Sequence, residues 1–225
     1  MTNDELNVRR EIIKYAQKMN PSGINVNKSG NVSARYKDGF LITPTGIPYD
    51  LLNENDLTFV RKDGSGYSFV GEYEASSEWL MHAKIYESRE DVDAIVHTHS
   101  LYATAIACLE EDIPPFHYMV AVSGNTKIPC APYALFGTEA LADSCLEGLG
   151  QGNACLLSHH GVICVGKTVR KAFELAVEVE NLAHMWTEVR KVNPDVILSE
   201  PQMEEVMLRF RTYGRQQKKE ESKES

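Results

Sequence analysis

The run NVSARYKDGFLIT, residues 31 to 43, sets the first limit on the fold. Two short β-forming stretches flank Asp38-Gly39, and Asp-Gly between such stretches is a strong local signal for a hairpin. LTFV and YSFVG, around RKDGSG, predict a second pair of short strands. VDAIVHTHS and ACLLSHHGVICVG read as further β segments, and HYMVAVSG and IPCAPY as extended chain. Helical patterns are interspersed. Residues 3–19 place Leu6, Arg9, Ile13, Ala16 and Met19 on one face, with Ile12 beside it and Thr2 and Glu5 at capping-box spacing. SSEWLMHAKIYESRE predicts a helix capped by Ser76 or Ser77. Ser100 and Thr138 can cap helices over LYATAIACLEE and EALADSCLEGL. A long helix from Thr168 to about Lys191 buries Ala172, Leu175, Ala176, Val179, Leu182, Ala183 and Trp186, and EPQMEEVMLRFRTYG predicts a last one.

Hairpins and helices thus mix without regular β-α-β alternation. That favours an α/β fold of the α+β type, with a mostly antiparallel sheet covered by helices. Neither G-x-G-x-x-G nor a Walker A loop is present. One domain over residues 1–213 is expected, followed by a polar, disordered tail over 214–225 that lacks an apolar anchor.

The formal charge of −9 argues against a nucleic-acid partner, which needs clustered Lys and Arg. No stretch reaches the roughly 20 apolar residues of a membrane span, and the N-terminus lacks the apolar run of a signal peptide. The five cysteines (Cys108, Cys130, Cys145, Cys155 and Cys164) are odd in number and form no C-x-x-C pair. They read as reduced, mostly buried thiols, and the expected location is cytoplasmic.

Residues i and i+2 of a strand share a face, so His97 and His99 project in parallel. Such a pair is either two hydrogen-bonded histidines on a half-buried strand or two of the ligands that Zn²⁺ takes. SHHG adds His159 and His160 before a glycine that permits a sharp turn. Strand neighbours face opposite ways, so one of these two can reach a metal while the other is structural. His82, His117 and His184 read as surface or core histidines. Glu78 follows two serines at a helix start, where a carboxylate is an ordinary stabiliser and free N–H groups also make an anion site. SGN (29–31) and TPTG (43–46) offer further small donors, and together these segments suggest a pocket for a phosphorylated small molecule.

In order, GNVSARYKDGFLITPTGIPYD, SSEW, AIVHTHS, PPFHYMVAVSGNTKIPCAPYALFGT, LLSHHG and RTYG resemble the class II aldolase/adducin superfamily, most closely its branch acting on L-fuculose 1-phosphate. The likeness runs from the first helix to Tyr213. It implies a three-layer α/β/α fold around a mostly antiparallel sheet, and a homotetramer with active sites at subunit boundaries. It implies one Zn²⁺ per subunit held by His97, His99, His160 and Glu78, with Glu78 also the acid/base. Gly30, Asn31, Thr45, Gly46, Ser76 and Ser77 match the segments that hold the substrate phosphate. Tyr118 and Tyr213 match catalytic tyrosines that reach in from a neighbouring subunit. Lys28 and Ser29 depart from the threonine and alanine of the related aldolase. The lysine either adds charge near the phosphate or marks another substrate.

The implied reaction is reversible cleavage of a ketose 1-phosphate, L-fuculose 1-phosphate foremost, to dihydroxyacetone phosphate and L-lactaldehyde. Rivals on the same scaffold are an L-ribulose-5-phosphate 4-epimerase, in which aspartate usually follows the two serines, and a sugar-phosphate dehydratase or decarboxylase. A non-catalytic adducin-like scaffold would lack part of the ligand set. A closed structural zinc site would have tighter ligand spacing.

Overall fold

The computed structural model describes residues 1–210 of the 225. Eight strands build one sheet: β1 (Asn31–Tyr36), β2 (Gly39–Ile42), β3 (Thr58–Asp63), β4 (Gly66–Val70), β5 (Ala94–Thr98), β6 (Cys130–Ala131), β7 (Ala154–Leu157) and β8 (Gly161–Gly166). Their spatial order is β4-β3-β2-β1-β5-β8-β7-β6. Every pairing is antiparallel except that of β6 with β7.

Strand alternation sends side chains into two cores. Val32, Leu41, Val96, Leu156 and Val162 pack on one face beneath α1 (Asn3–Met19), α3 (Leu101–Ala107), α5 (Val169–Val192) and Met203 of α6 (Glu200–Phe210). Ile42, Val60, Ile95, Leu157 and Ile163 point the other way, beneath α2 (Trp79–Ser88) and α4 (Glu139–Leu149). The result is three layers, helices on both faces of the sheet. Among the described residues, no helix is long and apolar enough to cross a membrane.

The caps show which local readings hold. Thr2 accepts from the Glu5 amide at 3.2 Å, a cap worth about 1 kcal/mol. Arg9, the charged residue on the apolar face of α1, is buried and satisfied. It donates to the Glu5 carboxylate and to the Glu54 and Leu57 carbonyls, each at 2.8 Å. Thr138 and Thr168 cap α4 and α5.

Other readings shift. Tyr36 pairs with Gly39, so the hairpin loop is Lys37-Asp38, one residue earlier than Asp38-Gly39, and Lys37 takes the left-handed φ of 48°. Gly39 answers a different need: a Cβ there would collide with the Val60 carbonyl of β3. The capping position of α2 belongs to Glu78 rather than to either serine, and the Ser76 hydroxyl accepts from the Glu78 amide at 3.4 Å. Ser100 occupies the cap of α3 without a side-chain bond. Glu180 of α5 reaches across instead, accepting from the Tyr102 and Ala103 amides at 2.9 Å each. HYMVAVSG is a 3-10 helix, Tyr118–Ser123, closed by Gly124 at φ 78°, where extended chain was expected. Cys145, Cys155 and Cys164 are buried thiols, Cys130 is half-buried and Cys108 exposed. The tail expected over 214–225 lies outside the described residues.

Candidate active site

The strand end, the helix start and a hairpin turn converge on the α2 side of the sheet. His97 is in β5, paired in register with Asn31 of β1, and is fully buried. His99 lies one residue beyond the end of β5, yet its ring meets that of His97, with the two Nε2 atoms 3.0 Å apart. His160 comes from the turn 158–160 between β7 and β8, and Glu78 from the start of α2. His160 Nε2 lies 2.8 Å from Glu78 Oε1, and His97 Nε2 3.1 Å from Glu78 Oε2. One donor atom from each of the four falls within 4.8 Å of all the others. The three rings stand 4.8–4.9 Å apart and 70–80° to one another.

Neighbours hold these donors in place. His97 Nδ1 is 3.0 Å from the Val162 carbonyl, which accepts its proton, so that in the neutral ring Nε2 is the nitrogen offered to a metal. Asn31 donates to Glu78 Oε2 at 2.9 Å, and both residues are buried. The Asn25 side-chain oxygen accepts from the His99 amide at 3.3 Å and from the Ser29 hydroxyl at 3.2 Å. Tyr49 donates its hydroxyl proton to the Gly30 carbonyl. A Cβ on Gly30 would stand 2.5 Å from the His97 carbonyl, so this glycine is required for the close approach of its strand to β5.

The electrostatics ask for positive charge at the cluster's centre. Burial raises the Glu78 pKa, but attraction to His97 and the hydrogen bonds to His160 and His97 outweigh it and hold the carboxyl well below the usual range. Burial pulls His97 down, and the Glu78 carboxylate more than reverses this. Burial, then repulsion from His97 and His160, press His99 down to about 3. A carboxylate and three imidazoles, two with their Nε2 atoms 3.0 Å apart, fit a divalent cation of tetrahedral habit.

Beside the cluster opens a cavity of about 390 Å³, lined by Glu78, His99 and His160 together with Lys28, Ser29, Ser77, Tyr133, Ala134, Phe136 and His159. Of the six residues expected around a phosphate, Ser77 lines it. Ser76 is buried behind it, Asn31 is engaged by Glu78, and Gly30 packs on β5. Thr45 and Gly46 are exposed, and Lys28 donates to the Gly46 carbonyl at 2.7 Å.

His159 sits at φ 53° in the turn, outside the donor cluster, with Nε2 3.3 Å from Glu110. The turn, not strand alternation, separates it from His160. Tyr118 is 46% exposed on its 3-10 helix and is not among the residues lining this cavity. Tyr213 lies outside the described residues. His82 is buried against Ser33 (2.6 Å), which contacts the Tyr86 hydroxyl (2.8 Å). His184 stacks on Tyr102, and His117 accepts from the Met119 amide.

Sequence reasoning passed over Asn25, Tyr49, Tyr133 and Phe136. Asn25 and Tyr49 act through contacts far along the chain. Tyr133 and Phe136 carry a legible signal, two aromatics with glycine in a short loop, but no pattern that singles out a pocket.

A buried carboxylate and three imidazoles beside an open cavity make the centre of a divalent-metal enzyme. Similarity identifies the class. The sequence profile of the class II aldolase and adducin N-terminal domain matches residues 10–187. The L-fuculose phosphate aldolase of Escherichia coli is 44% identical over 206 residues, covering 91% of this chain and 94% of that protein. A 5-methylthioribulose-1-phosphate/5-deoxyribulose-1-phosphate aldolase from another Escherichia coli strain is 41% identical over 212 residues, 94% of this chain and 98% of its own. A solved L-fuculose 1-phosphate aldolase superposes with a TM-score of 0.87 at 34% identity, covering 94% and 98% of the two chains. The chain belongs to the class II aldolase and adducin family, as an enzyme of its metal-dependent aldehyde-lyase branch.

Proposed function

We propose that the protein is a zinc-dependent aldolase that reversibly cleaves a ketose 1-phosphate, foremost L-fuculose 1-phosphate, into dihydroxyacetone phosphate and L-lactaldehyde. The observation that carries the reading is the complete Glu78–His97–His99–His160 donor set beside a cavity, in a chain 44% identical to an L-fuculose phosphate aldolase. The 41% identity to a 5-methylthioribulose-1-phosphate/5-deoxyribulose-1-phosphate aldolase supports a second reading with a different aldehyde half. Both readings share the 1-phosphorylated ketone half.

Zinc held by the three histidines, with Glu78 as its further ligand in the resting site, would supply a Lewis acid that stabilises negative charge developing beside the ketone carbonyl. Glu78 is the acid/base. It is ionised and buried, and the Asn31 amide orients it for moving the proton at the carbon next to that carbonyl. Gly30, Asn31, Thr45, Gly46, Ser76 and Ser77 form the phosphate region, with Ser77 at the cavity wall. Phosphate held away from the breaking bond gives orientation. Tyr118, exposed and outside the cavity of its own chain, would act as proton donor in a site shared between copies. The working form in this reading is a homotetramer with active sites at subunit boundaries, and Tyr213 helps to close the site. Residues 1–213 form the single catalytic unit, acting in the cytoplasm.

The test is a cleavage screen over ketose phosphates, with and without a chelator, read by release of dihydroxyacetone phosphate. Release from L-fuculose 1-phosphate that is lost with chelator and restored by zinc is expected. No release from any ketose 1-phosphate would refute the reading.

A further inference from the structure

Lys28 lines the cavity. Its side chain spans two loops, donating from Nζ to the Gly46 carbonyl at 2.7 Å. An ammonium has three donors, and among the described residues no carboxylate pairs with this one. Of the residues lining the cavity, Lys28 is the one permanent cation. Glu78 is the one carboxylate there, and its oxygens are taken by His97, His160 and Asn31. The chain as a whole carries a formal charge of −9, so its long-range field opposes an approaching dianion. A local unpaired cation beside Ser29 and Ser77 counters that field where a phosphate would enter.

We propose that Lys28 binds the phosphate of the substrate, turning its free ammonium donors onto the anion, and thereby sets the preference for phosphorylated over unphosphorylated ketones. This deepens the aldolase reading and rests on it for the identity of the substrate. The Gly46 contact keeps the lysine beside the cavity before substrate arrives and leaves two ammonium donors for phosphate oxygens, which, unlike the carbonyl, carry the opposite charge.

Lys28→Gln separates charge from structure. Its amide keeps a donor, one bond nearer the backbone than the ammonium, while the cation is lost. The zinc-loaded wild type, Lys28→Gln and Lys28→Arg are titrated with inorganic phosphate, and zinc content is measured for each. Lys28→Gln is expected to weaken phosphate binding roughly tenfold or more. Lys28→Arg should stay within about threefold, with zinc content equal in all three. In turnover, Lys28→Gln should raise KM for the ketose 1-phosphate by a similar factor with little change in kcat. Inhibition by unphosphorylated dihydroxyacetone should be unchanged. Equal phosphate affinity in wild type and Lys28→Gln overturns the proposal. So does an equally large loss towards dihydroxyacetone, or a wild type that binds no phosphate at millimolar concentration. Should the wild type cleave no ketose phosphate at all, the aldolase reading fails, while the phosphate titration still decides the role of Lys28.

Discussion

The donor cluster and the rim of the cavity beside it are built in opposite ways. His97 and Glu78 are at most 5% exposed and sit on the sheet and at a helix start, each held by a neighbour: Val162 for His97, Asn31 for Glu78. Tyr133 and Phe136 on the rim are 59% and 63% exposed, in the loop before α4. The centre is fixed by the framework of the fold, and the rim is free to vary. Two aldolases for different ketose 1-phosphates are 44% and 41% identical to this chain, which is what a constant centre with an adjustable rim would allow.

The sharpest break in that contrast lies between a histidine of the cluster and one just outside it. His99→Ala should lose bound metal and activity together, by more than the roughly 10–100-fold that follows loss of a ligand's hydrogen-bond partner. His159→Ala, in a turn residue outside the cluster, should keep its metal. Elemental analysis of both variants checks this, and stoichiometric metal in His99→Ala would contradict the assignment. One step out, Asn31→Ala removes the donor to Glu78 and should cost roughly 10–100-fold in metal affinity or turnover.

A third effect acts on stability. Burial, reinforced by repulsion from His97, presses His82 down to about 3 from 6.5. The unfolded chain therefore binds the extra proton between those values, and His82 costs the fold stability as pH falls from 6.5 towards 3, with no contribution above 6.5. The slope is at most about 1.4 kcal/mol per pH unit for this group. His97, with its pKa raised, works in the opposite direction, stabilising below 6.5 and losing that contribution as pH rises through its folded value. Denaturant unfolding of chelator-treated protein from pH 7 to 4 should show a shallower acid loss in His82→Gln than in wild type. Parallel curves would remove His82 from the account. The smallest effect belongs to the rim. Phe136→Ala should shift KM between ketose phosphates several-fold while leaving metal content and melting temperature unchanged.

How much of this was legible depended on sequence distance. Runs of β-forming residues and the Asp-Gly turn signal placed the strands, and short-range caps placed α1, α4 and α5, because these are local effects. The H-x-H spacing placed two imidazoles together even though β5 ends at Thr98 and strand geometry does not strictly apply to His99. Where a long-range contact decides, local reading fell short. Gly39 is demanded by Val60 of the neighbouring strand rather than by its turn. Glu180, 77 and 78 positions away from its partners, replaces the cap that Ser100 was expected to make. Asn31 matched a phosphate segment by motif, and register with His97 turns it onto Glu78.

The central claim is that Glu78 moves a carbon-bound proton at a metal held by three histidines. An aldolase running towards synthesis must deprotonate dihydroxyacetone phosphate before any aldehyde arrives, so exchange of one carbon-bound hydrogen with solvent deuterium reports that step alone. By NMR, the metal-loaded wild type should incorporate one deuterium. Glu78→Gln should retain metal through His97, His99 and His160 yet slow the exchange by on the order of 10²–10⁴-fold. Wild-type protein carrying one metal per chain that exchanges no deuterium, or a Glu78→Gln variant that exchanges it at the wild-type rate, would contradict the account.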